Sequence, residues 1–371
     1  MALANTRDPQ ESADQLERWL ATRLEGASDI KVTNVETPQA SGMSNETLLF
    51  SASWTDAGGV HDGQYVARVA PSGPAVFPHY DLAVEQRVME ALSAHSAAPV
   101  PKAPWVETDP SVLGAQFLVM ERLFGQVPSD DPPFTATGWV LDLTPDERGR
   151  MCNNALAALV EVHKAEYRAL GLDFLERPEL GKTPLEQSIA EWTQTFVWAS
   201  EGEANPTVEA GFAWIAAHLP AEEEPTVLNW GDARIGNMLV APDMSITGIL
   251  DWEMATIGSP EMDLGWWLFL LRHHTEGIGM PLPSGFPSRE QTLARYEELS
   301  GHTVVNIDFY EILAALKLSI LMHRAGNLMI SIGLLPPDAP MKLSNPASQL
   351  LAKLIGAPAP AGEAQSFIGN R

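Results

Sequence analysis

The sequence predicts an α+β chain in two parts: a small antiparallel sheet with one main helix, then a larger and mostly helical part. Three observations lead there. Extended runs at Ile30 to Val35, Thr47 to Trp54, Gln64 to Val69 and Ala115 to Met120 alternate or are apolar as strands are, and one helix-period segment, Tyr80 to His95, interrupts them. Beyond Gly125 the pattern turns helical, with starts at Thr144-Pro145-Asp146-Glu147, Thr183-Pro184-Leu185-Glu186 and Ser288-Arg289-Glu290-Gln291. Each is a capping box, and the first two place Pro at the first helical position. A chain of 371 residues with 45% apolar content can bury a large core and exceeds the usual single domain of up to about 250 residues. The expected division is 1–124, including a helix near the N-terminus, and 125–371.

Taken in order, Met1 to Asp14 is polar and expected to fray. Gln39 to Glu46 is a small, polar stretch between the first two extended runs, either a plain β-turn or a loop whose backbone N–H groups and Ser41 and Ser44 hydroxyls can cover phosphate. Leu82, Val88, Met89 and Leu92 give the helix its apolar face. Val100 to Pro104 is a rigid connector. An amphipathic helix is expected over Thr144 to Ala169; Cys152 and His163 lie in it, and His163 shares the stripe of Leu156, Leu159 and Val162 as a core residue would. Thr226 to Asn229 and Met238 to Val240 are short extended pieces around a polar loop. Ile246 to Leu250 is a buried strand after a turn at Pro242 and Asp243, and Asp308 to Ser331 is apolar nearly all round, a buried helix.

The chemistry concentrates in Trp230-Gly231-Asp232-Ala233-Arg234-Ile235-Gly236-Asn237 and Ile249-Leu250-Asp251-Trp252-Glu253. Phosphoryl transfer needs one carboxylate to orient and deprotonate an acceptor hydroxyl, and hard oxygen ligands to hold Mg2+ against nucleotide phosphates. Asp232 fits the first role, and Asn237 with Asp251 the second. The bland alternative is a pair of solvated turns, with Asp232 capping one and Asn237 in a left-handed conformation.

At these residues the chain resembles the aminoglycoside phosphotransferase family, the small-molecule branch of the protein-kinase-like fold. That family's loop reads His-Gly-Asp-x-x-x-x-Asn, and its metal-binding Asp sits in Ile-Asp-Trp/Phe-Glu; here Trp230 stands where His is usual. The resemblance runs from about Val32 to about His274. It implies a two-lobed fold with a small N-terminal nucleotide-binding lobe and a large helical catalytic and substrate lobe. It further implies ATP and Mg2+ as cofactors, Asp232 as base, Arg234 near the transferring phosphate, and Asn237 and Asp251 on the metal. For the nucleotide it implies the loop of Ser41, Gly42 and Ser44, an Arg68 to Glu85 ion pair, and a hinge at Met120, Glu121 and Leu123. Asp263 matches a family aspartate that braces the catalytic loop through backbone hydrogen bonds. The Gly-Asp-x-Arg-x-Gly-Asn loop looks closer to the kinase domains fused to some acyl-CoA dehydrogenases, which act on hydroxylated acyl groups, than to aminoglycoside kinases.

A net charge of −25 argues against nucleic acid or an anionic membrane as partner, because both select basic surfaces. Glu201, Glu203, Glu209 and Glu222 to Glu224 are expected to be solvated. The single cysteine, Cys152, excludes an internal disulfide, no leader pattern is seen, and Leu264 to Leu271 is too short to span a bilayer, so a cytoplasmic location is expected. Gly277-Ile278-Gly279-Met280 lacks the third glycine of a dinucleotide site. The partner expected is a small molecule bearing a hydroxyl. A pseudokinase that binds nucleotide without transfer is the competing class, favoured by Trp230; an acyl or glycosyl transferase using Asp232 leaves Arg68 and Glu85 without a role.

Overall fold

The computed structural model describes residues 7–38, 46–71, 73, 75–221, 225–362 and 364. The chain divides into two compact units, Met1–Ala94 with Pro101–Leu123 and His95–Val100 with Phe124–Arg371.

The first unit opens with helix α1 (Pro9–Arg23), so the stretch expected to fray as far as Asp14 is helical from Pro9. The cause is its cap: Asp8 accepts from Gln10 N at 2.8 Å and Glu11 N at 2.9 Å, and Pro9 presets the first turn. Burial holds the rest, since Leu16, Trp19 and Leu20 enter the core and the Trp19 indole donates to Glu107 at 2.8 Å. The antiparallel sheet comprises β1 (Ser28–Glu36), β2 (Glu46–Asp56), β3 (Gly59–Val69), β4 (Trp105–Glu107) and β5 (Phe117–Glu121), in the order β1-β2-β3-β5-β4. Four of these coincide with the extended runs of the sequence; β4 has three residues, too few for alternation to show. Alternate residues Leu48, Phe50 and Ala52 of β2 meet Ala67, Phe117 and the α1 face in one apolar core. Helix α2 (Leu82–His95) buries Leu82, Glu85, Val88, Met89 and Leu92.

The second unit contains α3 (Pro145–His163), α4 (Pro184–Ser200), α5 (Pro206–Ala217), α6 (Glu261–His273), α7 (Arg289–Ser300), α8 (Ile307–Ser331) and α9 (Pro346–Ile355). The capping boxes at Thr144, Thr183 and Ser288 start α3, α4 and α7 as their spacing predicts, and Asn345 with Ser348 forms a further one at α9. Helix α3 stops at His163 rather than Ala169. There Tyr167 turns inward and donates its hydroxyl to Glu176 at 2.8 Å, a tertiary contact that outweighs local propensity. Helix α8 packs on α4, α5, α6 and α9, which explains its apolar circumference. At Gly265 a Cβ would stand 2.5 Å from a Tyr310 backbone atom, so only glycine permits the approach of α6 to α8.

Two short ribbons complete this unit: β6 (Val227–Asn229) pairs with β9 (Thr256–Gly258), and β7 (Met238–Val240) with β8 (Ile246–Ile249). The polar loop is therefore framed by strands of two different ribbons. Among the described residues no helix is long and apolar enough to cross a membrane.

Candidate active site

The loop between β6 and β7 is held from below by Asp263 in the first turn of α6. Its carboxylate accepts from Trp230 N at 2.7 Å and Gly231 N at 2.8 Å, and its own amide donates to the Asn229 side chain at 3.2 Å. His163 adds a third contact, with Nε2 3.0 Å from Asp263 and Nδ1 2.7 Å from the Tyr296 hydroxyl, so this histidine is satisfied within the core. Gly231 turns the chain with φ +91°, and a Cβ there would stand 2.0 Å from Met254 O. An L side chain would meet both the left-handed penalty and a backbone oxygen.

Asp232 projects from that turn and accepts from Asn237 Nδ2 at 2.6 Å, Trp266 Nε1 at 2.7 Å and Arg234 Nε at 2.9 Å. Burial, then the nearby Asp251 charge, push its carboxyl up to about 7, against the hydrogen bonds from Trp266 and Asn237. The guanidinium of Arg234 favours the ionised form in the same way. Arg234 is further tied to Asp130 and, pushed down by burial to about 10, stays charged at neutral pH. A narrow apolar cavity formed by Phe134, Leu156, Trp267, Leu270 and Phe286 backs it.

The β7–β8 ribbon brings the second carboxylate alongside. Met238 is paired with Ile249, and Leu250 N donates to Asn237 O at 2.9 Å, so Asn237 and Asp251 lie at the same end of the ribbon. Asp251 adopts φ +64°, a left-handed conformation uncommon outside glycine, where the chain leaves the ribbon. Asn237 spends its amide nitrogen on Asp232, which leaves its oxygen as a donor to a cation. One amide oxygen and one carboxylate are hard ligands of the kind Mg2+ takes when phosphates supply others, so these residues fit the ion.

Trp230 is fully buried, and its indole N–H donates to Leu250 O at 2.9 Å and Asp251 O at 3.0 Å. Its ring lies 6.0 Å from that of Trp252, whose own N–H donates to Ile249 O at 3.1 Å. The residue in place of the usual histidine is thus a bolt between the loop of Asp232 and the segment of Asp251.

In the first unit, Arg68 Nη1 on β3 lies 3.3 Å from Glu85 Oε2 on α2, with both side chains buried. Met120 is buried in β5, Glu121 N donates to Lys102 O at 2.8 Å, and Leu123 follows the strand. Ser41, Gly42 and Ser44 lie outside the described residues.

Sequence reasoning missed three residues here. Trp266 lies one helical turn after Asp263, and that spacing signals it. Asp130 is 104 residues from Arg234, with no sequence signal. Lys317, buried in α8, places its ammonium 5.8 Å from the Trp266 ring centre, a contact with no sequence signal.

The same architecture recurs in solved structures. A Ralstonia eutropha JMP134 protein, provisionally assigned as an aminoglycoside phosphotransferase, superposes with TM-score 0.65 at 23% identity, over 92% of this chain and 95% of that one. A ternary complex of streptomycin, ATP and APH(2'')-IIa gives 0.53 at 15% identity, over 92% and 100%. This kinase-like fold is the one the sequence predicts. Among curated proteins, the probable acyl-CoA dehydrogenase IBR3 of Arabidopsis thaliana is 28% identical over 308 residues, 78% of this chain and 35% of the relative. Acyl-CoA dehydrogenase family member 11 of Rattus norvegicus is 26% identical over 336 residues, 86% and 41%. The chain thus spans about two fifths or less of the length of these relatives. A family model matches residues 37–299, and the chain belongs to the family it describes, the phosphotransferase enzyme family APH.

Proposed function

We propose that the chain transfers the γ-phosphoryl group of ATP to a hydroxyl of a small molecule. One observation carries this reading: Asp232 bonded to Asn237 at 2.6 Å, on a loop whose strand partner delivers Asp251 beside them. Asp232 orients the acceptor hydroxyl and takes its proton as the oxygen attacks phosphorus, and a carboxyl pushed towards neutrality suits a general base. Arg234, anchored by two carboxylates, offers its remaining N–H groups to the equatorial oxygens of the transferring group. Asn237 and Asp251 would hold Mg2+, which supplies neutralisation of the phosphate charge when bound. Arg68, positioned by Glu85, would grip phosphate oxygens, with Ser41, Gly42 and Ser44 over them and Met120, Glu121 and Leu123 along the adenine edge. A nucleotide donor is in keeping with the ATP complex of the APH(2'')-IIa structure. A cytoplasmic location belongs to the same reading and rests on the cysteine count.

The pseudokinase alternative drew on Trp230. Buried and doubly hydrogen-bonded, that side chain supports an ordered loop in place of a degenerate one. The test is ATP-dependent phosphorylation across a panel of hydroxylated metabolites and antibiotics, with Asp232→Ala beside the native chain. ATP binding without transfer to any acceptor would favour the pseudokinase; transfer that survives Asp232→Ala would refute the assigned base.

A further inference from the structure

Gly236 follows Arg234 by two residues in the candidate catalytic loop, and the space left by its missing side chain is filled. A Cβ there would stand 2.7 Å from Arg234 Nη1 and nearer still to Asp130 Oδ1, so the Asp130–Arg234 ion pair rests directly on the loop backbone. Asp130 comes from a turn over residues 129–134, closed by Phe134 N donating to Ser129 O at 2.6 Å. That turn is docked by contacts of its own: Phe134 stacks on Phe286 with ring centres 5.5 Å apart, and Thr135 donates its hydroxyl to His274 O. The position of Asp130 therefore does not depend on Arg234. Its Oδ1 is enclosed and has no hydrogen-bond partner, so this carboxylate oxygen gives up hydration that no donor replaces. A pair serving stability alone gains nothing from that arrangement.

What the arrangement fixes is the orientation of the guanidinium. Arginine meets a carboxylate most strongly as a fork, with two parallel N–H groups on two oxygens. Arg234 and Asp232 do not form one: both Asp232 oxygens fall on Nε alone, at 2.9 and 3.0 Å, while Nη1 is drawn to Asp130. Among the described residues Nη2, the nitrogen that would complete the fork beside Nε, donates to none, and it is not sealed from solvent. Released from Asp130, the guanidinium is free to tilt and close the fork. That would cover the candidate base with a second charged donor and withdraw Nη2 from phosphate.

We infer that Asp130 is a positioning residue, a counter-carboxylate that keeps Arg234 from closing on Asp232, so that the base stays open to the acceptor hydroxyl and Nη2 to the transferring phosphoryl group. Gly236 is the second part of the device, the glycine that lets the two side chains cross the loop. Both act through Arg234.

The inference rests on the phosphotransfer reading, and the experiment separates the two. Calorimetry measures ADP with Mg2+, alone and with aluminium fluoride, which imitates the phosphoryl group in transfer and is bound as a transition-state analogue. The native chain should bind ADP at least tenfold tighter when aluminium fluoride is present. Asp130→Ala should remove most of that gain and leave the affinity for ADP alone within twofold; Asp130→Asn, which keeps an oxygen for Nη1, should recover part of it. Arg234→Ala should also remove the gain, and Asp130→Ala added to it should lose nothing further, because the effect runs through the guanidinium. Gly236→Ala should resemble Asp130→Ala, since the methyl meets only the ends of those two side chains and displaces them with the fold intact, as circular dichroism would check. Where transfer is seen, Asp130→Ala should lower kcat at least tenfold at little-changed KM for ATP, with the same dependence on Arg234. A gain that survives Asp130→Ala overturns the inference, as does a loss from Asp130→Ala that is equal with and without Arg234. No gain in the native chain, together with no transfer to any acceptor, removes the phosphotransfer reading and the role of Asp130 with it; a gain indifferent to Asp130 removes Asp130 alone.

Discussion

Replacing Trp230 by alanine should cost stability and turnover together, because one side chain braces both carboxylate-bearing segments. The indole is fully buried against Trp252 and donates to Leu250 O and Asp251 O. Large aromatic truncations in cores cost about 3–5 kcal/mol. Two carbonyls left without their donor add to that, each buried polar group losing roughly 1–3 kcal/mol unless water enters. The cavity admits water once the ring is gone, so the expected total is about 3–5 kcal/mol, not the sum of both terms. Trp230→Phe separates the two effects. It keeps most of the packing and removes only the N–H, so stability should fall by about 1–3 kcal/mol. Turnover should fall with it, since the Asp251 backbone loses its anchor. Trp230→His restores the residue usual in the family's loop, and should be better tolerated than alanine. Urea denaturation gives the stabilities, and ATP consumption with a working acceptor gives the turnover. Native-like stability in Trp230→Ala, or full turnover in Trp230→Phe at reduced stability, would refute the bolt between the two segments.

ATP with Mg2+ should raise the melting temperature by mass action, and no shift at millimolar nucleotide would count against transfer and pseudokinase alike. Asp232→Ala should retain that shift while turnover drops by about 10²–10⁴-fold, the usual contribution of a positioned base. With the Asp232 carboxyl raised to about 7, the reactive ionised form is lost as pH falls, so kcat/KM should decline below about pH 7; a profile flat to pH 5 would contradict the base assignment. For Gly231→Ala, with φ +91° and a Cβ 2.0 Å from Met254 O, the loss in urea denaturation should exceed the roughly 1–2 kcal/mol of a left-handed backbone alone. Cys152, buried and with its thiol pushed up to about 12, should resist iodoacetamide in the native chain and react on unfolding.

Local signals settled much of this molecule before any packing was known. Alternation in β2 and β3, the capping boxes of α3, α4 and α7, and the apolar strand ending at Asp251 are each written in neighbouring residues, because period and capping are short-range physics. The spacing of Asp232, Asn237 and Asp251 is legible for the same reason: a ribbon with a short turn returns the chain to the loop it left. The N-terminal helix was misjudged in extent, since what fixes residues 9–14 is an Asp8 cap together with burial against a sheet still to be formed. The end of α3 was misjudged because Tyr167 answers to Glu176, beyond the helix. Tertiary structure alone decided what Trp230 does, since an indole reads as packing until the two carbonyls that receive its proton are placed beside it. It alone tied Arg234 to Asp130 and set Lys317 between two indoles, one of which holds Asp232. Periodicity reports which side of an element faces inward; which groups meet there depends on elements far apart in the chain, and that is where electrostatics and specificity are decided.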